Sequence, residues 1–276
     1  MYKRQNPEGT APGIDFQWQS SPEHATRYFC LPGVPAEMFT MFDQTVGPAV
    51  QAMTGRDSVI HHHVIRTFGR GESSVEEILG DLLARGRDPR VGITASRATI
   101  SLRITTEGKD RIVCMEKMQS TIETIRNKLG NLIYGSDEDT IPSVLMKLLR
   151  EKKITIAMID CGLGGAAWWG LHDAIHLDEE FADSAAPLAG SKVCKPAATP
   201  LLELAANART EFNSDIGVAI GAIQPAGEGK QFELALKSDD FEVTESFTYA
   251  GHSDFRHVRA VKQVLNTVRL ALLGEN

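Results

Sequence analysis

Residues 155–165 read TIAMIDCGLGG, an apolar strand that runs into a glycine-studded turn and then a tryptophan-bearing helical start. Such a turn presents the side chain at its apex to substrate, and the helix that follows offers N–H donors to an oxyanion. The side chains at this apex are Asp160 and Cys161. A thiol becomes a capable nucleophile when a helix N-terminus or a nearby cation lowers its pKa, and Gly162 leaves access to it open. Asp160 acts against that, because a neighbouring carboxylate disfavours the thiolate. The turn therefore has two readings: a cysteine elbow for nucleophilic chemistry, or a small buried thiol packed under the glycines.

Other reactive residue types are scattered. His172 and His176 share a helical i, i+4 spacing but have no third ligand in view, so surface or packing roles are expected and no metal is assigned. His61, His62 and His63 lie on a strand, where successive side chains alternate faces and do not converge on one ion. Trp168 and Trp169 are expected to fill the core. Cys30, Cys114, Cys161 and Cys194 are far apart, with no C-x-x-C pair, and read as reduced thiols. No cofactor is implied.

These residues need elements to position them. The chain has 276 residues, 42% hydrophobic and 24% charged, enough for one good core or two to three modest ones. No apolar run approaches the roughly 20 residues that span a bilayer, and the start, MYKRQNPEGTAPG, lacks a secretory apolar stretch, so a cytoplasmic protein with no membrane partner is expected. The net charge is -7, and only residues 53–135 are basic, 13 against 10 acidic. That excess is too weak to argue for phosphate-backbone binding.

Residues 1–52 hold two proline-glycine signatures, NPEGTAPG and LPGVPAEM, around one short strand at 28–31 and one helix that Gly47 and Pro48 should stop. Residues 53–135 alternate as strand IHHHVIRTFG, helix 72–85, strands VGITAS and ATISLRITT, and helix 110–129, a two-layer α+β domain. Residues 136–276 open on acidic SDEDT, with Thr140 capping a helix that buries Ile141, Leu145 and Leu149. Strand ITIAMID, a helix, an aperiodic stretch at 174–198, a helix after Thr199-Pro200, three strands and a last helix at 254–273 predict a three-layer α/β domain with a mixed sheet.

In order and spacing, NPEGTAPG, LPGVPAEM, RTFGRGES at 66–73 and the turn at 155–165 resemble the CinA family of competence/damage-inducible proteins. The resemblance implies a remnant of a molybdopterin-binding-like α/β domain, a KH-like α+β domain and a C-terminal domain like nicotinamide mononucleotide amidohydrolase. The earlier phosphate- and metal-handling motif of the first domain is missing, so pyrophosphatase activity is not expected. RTFGRGES lacks the G-x-x-G loop by which KH folds clamp nucleic acid, so RNA is not expected as a partner.

In amidohydrolase members the turn resembles Glu-Ser-Cys-Thr-Gly-Gly. Asp160 then stands at the glutamate, Cys161 at the nucleophilic serine, Gly162 and Leu163 at the cysteine and threonine, and Gly164 and Gly165 are retained. The family's lysine-tyrosine base pair is absent, the stretch after Gly165 looks too short for the family's extra strand, and Lys192 and Lys195 are the candidate substitutes. The Gly-Asp-Arg motif becomes Gly251-His252-Ser253, and a second clamp arginine becomes His257. Arg256 and Arg259 remain as candidate phosphate ligands beside Gly162, Gly164 and Gly165. The strand and turn AIGAIQPAG at 219–227 lose the family's hydroxyl.

Two functions follow from this resemblance. One is a catalytically impaired homologue that acts by binding, with a nicotinamide nucleotide as ligand, or by assembly. The other is an active amidohydrolase in which Cys161 attacks a nicotinamide carboxamide with a lysine at 192 or 195 as base. A homo-oligomer is expected, because the shortened first domain leaves strand edges to cover.

Overall fold

The computed structural model describes the chain except residues 22, 56–57, 177–186, 197, 228, 250–252 and 276 and the side chains of 176 and 253–256. The chain forms two compact units, Met1–Val59 with Glu107–Arg111, and Ile60–Thr106 with Ile112–Asn276.

The first unit holds more structure than its sequence promised. Strands β1 (Tyr2–Arg4), β2 (Gly13–Ser21) and β3 (His24–Cys30) form an antiparallel sheet in that order. Helix α1 (Pro35–Met41) does not end at Gly47-Pro48. It passes through a π-turn, Phe42–Val46, into α2 (Gly47–Thr54) and stops at left-handed Gly55. Pro48 falls in the first turn of α2, directly after the π-turn, where the regular hydrogen-bond ladder is already interrupted. The buried side of β2 carries Asp15, whose carboxylate accepts from Arg4 Nε and Nη2 at 3.1 and 2.6 Å and from Arg27 Nε and Nη2, each at 2.8 Å. The Arg27 hydrogen bonds, then those of Arg4, hold that carboxyl far below the usual carboxylate range. The two proline-glycine motifs meet where Asn6 Nδ2 donates to Glu37 Oε2 at 2.7 Å.

In the second unit, β4 (Val59–Thr67), β5 (Arg90–Ser96), β6 (Thr99–Gly108) and β7 (Ile133–Ser136) form a sheet of order β5-β6-β4-β7. Helices α3 (Glu72–Leu79) and α4 (Arg111–Leu129) supply Val75, Leu79, Met118, Ile122 and Ile125 to a core with Ile65, Leu102 and Ile104. This is the expected two-layer α+β arrangement with one strand added, β7, which pairs antiparallel with β4. The histidines of β4 diverge: His62 Nδ1 lies 2.9 Å from Thr105 Oγ1, and His63 Nδ1 3.2 Å from Asp137 Oδ2.

Helix α5 (Ile141–Lys152) begins on Thr140, whose side chain accepts from Ser143 N–H while Ser143 Oγ accepts from the Thr140 N–H, a reciprocal cap. There follow β8 (Ile156–Asp160), α6 (Ala166–His176), β9 (Leu188–Val193), α7 (Leu201–Phe212), β10 (Ile216–Ile220), β11 (Gln224–Ala226), β12 (Gly229–Lys237), β13 (Glu242–Tyr249) and α8 (Ser253–Leu273). The mixed sheet runs β11-β12-β10-β8-β9 with β13 on β12; β10 and β9 flank β8 in parallel. Side chains of α5, α6 and α8 pack on Ile156, Met158 and Val218 at one face, and α7 covers Ala157, Ile159 and Ala219 at the other. The domain thus has the three layers expected. Strand β9 was not expected, since 174–198 shows little alternation, and the stretch after Gly165 that looked too short for a further strand does hold one.

Candidate functional site

The connection from β8 through α6 leads to β9 on one side, and the next, through α7, places β10 on the other. Where strand order reverses in this way the loops part, and a crevice opens beyond the carboxyl ends of the strands. A cleft of about 240 Å³ lies there, bordered by Cys161 after β8, Gly221 after β10, Thr199 ahead of α7, and Gln224, Gln231 and Glu233. Its position follows from chain topology alone.

The turn after β8 is built on Asp160. This residue is 3% exposed, and its Oδ1 accepts from the N–H of Gly162 and Leu163 at 2.8 and 2.7 Å, while Oδ2 accepts from Gly165 N–H at 2.6 Å. The glycines have steric causes. A Cβ at Gly162 would lie 2.1 Å from the Gly221 carbonyl oxygen, and Gly164 and Gly165 adopt φ of 63° and 83°. Gly162 therefore permits a close backbone approach, where the sequence had pointed to access for a nucleophile.

Cys161 points the other way. Adjacent residues of an extended chain alternate faces, so with Asp160 turned to the start of α6, Cys161 packs with Ala157, Ile159 and Ala208 on the α7 side. Its sulfur is bonded to Cys194, with the two Cα atoms 4.9 Å apart. The expectation of four reduced thiols is overturned for this pair, and Cys30 and Cys114 are the free ones. The register explains the pairing: Asp160 faces Val193 across β8 and β9, so the next step brings Cys161 opposite Cys194, at the spacing of neighbouring strands.

The other expected site residues do not gather at this turn. Lys192 Nζ lies 2.9 Å from Glu211 Oε1 on the exposed side of α7, and Lys195 is exposed. Arg259 borders a different pocket, of about 380 Å³, with Phe68, Asn131 and Gln263. The side chain of Arg256 lies outside the described residues, as do residues 251 and 252. Trp168 packs against the main core, whereas Trp169 is 60% exposed and meets the His172 ring edge-on at 5.6 Å, against the expectation that both fill the core. His176 has no described side chain, and no group of His, Cys, Asp or Glu among the described residues is arranged to hold a metal ion. Sequence reasoning missed Cys194, Thr199 and Gln231 as cleft or bridge residues; the signal available was the alternation of strand, helix and strand around 155–220, which locates a crossover and its crevice.

Several known proteins are similar to parts of this chain. Residues 62–135 match the family described as damage-inducible protein CinA KH domain. A protein of Clostridium perfringens (strain 13 / Type A) described as competence-damage inducible is 36% identical over 180 residues, covering 65% of this chain and 42% of that protein. A similarly described protein of Thermoanaerobacter pseudethanolicus is 28% identical over 289 residues, covering 98% of this chain and 68% of that one. A CinA-like protein of Thermosynechococcus vestitus is 36% identical over 160 residues, covering 58% of this chain and 37% of that one. The chain thus spans about two fifths of the length of the first of these relatives. The crystal structure of a competence or damage-inducible protein from Enterobacter asburiae overlays 49% of this chain and 99% of its own, at 17% identity and a TM-score of 0.37. Residues 62–135 thus carry a CinA-type KH domain, and the chain is similar along its length to proteins described as competence-damage inducible.

Proposed function

We propose that this chain is a CinA-family protein whose C-terminal domain keeps an amidohydrolase-like fold as a ligand-binding module and does not hydrolyse nicotinamide mononucleotide. One observation carries this reading: the Asp160 carboxylate takes the N–H groups of Gly162, Leu163 and Gly165. An oxyanion forming at that turn would find its donors held by a negative charge. Two further features support it. Cys161 is bonded to Cys194 on the face away from those donors, and Lys192 is ion-paired with Glu211. Covalent amide hydrolysis needs nucleophile, base and oxyanion donors to converge, and here they diverge.

Binding is a separate matter from turnover. Thr199, Gln224 and Gln231 line the cleft with neutral donors and acceptors, and Glu233 is the charged side chain among its described lining residues. Such a lining suits a carboxamide better than a phosphate. Nicotinamide mononucleotide would enter ring first and leave its phosphate in solvent.

Purified protein incubated with nicotinamide mononucleotide is expected to release no ammonia above the uncatalysed rate, with or without a dithiol reductant. Calorimetry at millimolar ligand should give heat of binding for nicotinamide and for the mononucleotide. Ammonia release abolished by Cys161→Ala would overturn the inactive reading. Absence of heat with both ligands would remove the binding role.

A further inference from the structure

We infer that Cys161 and Cys194 form a reversible redox site that exchanges with a dithiol and, on reduction, delivers a free thiol into the cleft. The inference rests on the sulfur pair and its frame, and is independent of which ligand the cleft takes.

The first support is that the frame does not need the bond. Cys194 N–H donates to the Asp160 carbonyl and Cys161 N–H to the Ile220 carbonyl, each at 2.9 Å, so backbone hydrogen bonds hold both residues in register. Breaking the sulfur bond therefore leaves two thiols side by side on an intact ladder, ready to close again. The second is access. Both cysteines are only partly buried, and Val193 and Lys195 on either side of Cys194 are exposed. The third is position. Cys161 borders the cleft, and so does Pro196, two residues beyond Cys194, so the bridge ties together two parts of one wall.

The exchange balances with a dithiol as co-reactant. One thiolate of the dithiol attacks Cys194 Sγ; the Cys161–Cys194 bond breaks and its electron pair leaves on Cys161 Sγ, which takes a proton. The second thiol of the reductant, as thiolate, then attacks its own sulfur in the mixed disulfide, closes the reductant into a ring and expels Cys194 as thiolate, which is protonated in turn. Two electrons and two protons pass to the protein. The leaving thiolate at Cys161 shares the cleft with Thr199 and Leu201 at the start of α7, where the positive end of the helix dipole favours it.

The test counts thiols that react with a maleimide under native conditions, with peptide mass spectrometry to place them. Protein treated with oxidised dithiothreitol, whose cyclic disulfide leaves a lone thiol uncapped, should label at exposed Cys30 alone, since Cys114 is fully buried. Dithiothreitol should raise the count from one to three, with an unchanged circular dichroism spectrum, and reoxidation should return it to one. Cys194→Ser should give two under either condition. Labelling of Cys161 or Cys194 after the oxidant would overturn the inference, as would a count that stays at one with dithiothreitol until the protein is unfolded. No nicotinamide ligand enters this measurement, so its failure and that of the binding role are read separately.

Discussion

Asp160 decides what the turn can do. Its carboxylate holds three N–H groups of the turn, two of them on buried residues, and does so as structure. Asp160→Ala is expected to lower stability by about 3 kcal/mol, because stranded buried donors cost about 1–3 kcal/mol each and water recovers part of that. A shift of the urea midpoint measures it; a midpoint unchanged from the parent protein would show that the turn does not depend on the carboxylate. Asp15 gives a pH-dependent counterpart in the first unit. Its pKa is depressed in the folded state, first by Arg27 and then by Arg4. A depressed carboxylate contributes stability that is full above its unfolded value of about 3.9 and is lost as pH falls through the folded value. The gap in melting temperature between the parent and Asp15→Asn should therefore hold steady above about pH 5 and narrow below about pH 4. A gap that widens on acidification would contradict this sign.

At the scale of elements, legibility followed the physical signal. Helix α5 was readable because its cap, its early proline and its apolar stripe all lie within ten residues. The strand ITIAMID was readable because β8 is buried along its whole length. Strand β9 was not, because LAGSKV has little apolar content and an exposed outer surface; its Gly190 makes room for the Phe212 ring, which would lie 2.1 Å from a Cβ there. Strand β2 was hidden for another reason. Alternation of Ile14, Phe16 and Trp18 would put the apolar side inward, but Gly13 and Asp15 are the buried residues. An ion pair, not hydrophobic burial, organises that face. The disulfide could not be read at all, since its partners are 33 residues apart and only the register of β8 with β9 brings them together. The candidate site was thus half legible: its location came from the strand-turn-helix pattern, whereas its chemistry depended on which face each side chain takes.

At the scale of the molecule, the KH-like sheet and the C-terminal domain lie in one compact unit, and α8 supplies two polar ties between them. Arg269 is 4% exposed and donates Nη2 to the Asn131 carbonyl at 2.8 Å, Nη1 to Ile133 at 3.4 Å and Nε to Asn266 Oδ1 at 2.9 Å. Lys262 Nζ donates to the Arg97 carbonyl at 2.8 Å and Thr99 Oγ1 at 2.7 Å. Burial lowers the pKa of both cations, so each tie works against a desolvation cost and its net worth is smaller than its hydrogen bonds suggest. Removing Arg269 nevertheless takes a planar fork of donors from the Asn131 and Ile133 carbonyls, which a lysine cannot reproduce. Arg269→Ala is therefore expected to cost about 2 kcal/mol, and Arg269→Lys only slightly less. Combined with Lys262→Met, it should split the melting of this unit in calorimetry, with amides of β7 and residues 130–133 losing protection from hydrogen exchange ahead of β8 and β10. A double variant that still melts in one step at the parent's temperature would show that apolar packing alone joins the two sheets, and that the cleft and the KH-like domain are coupled without help from α8's cations.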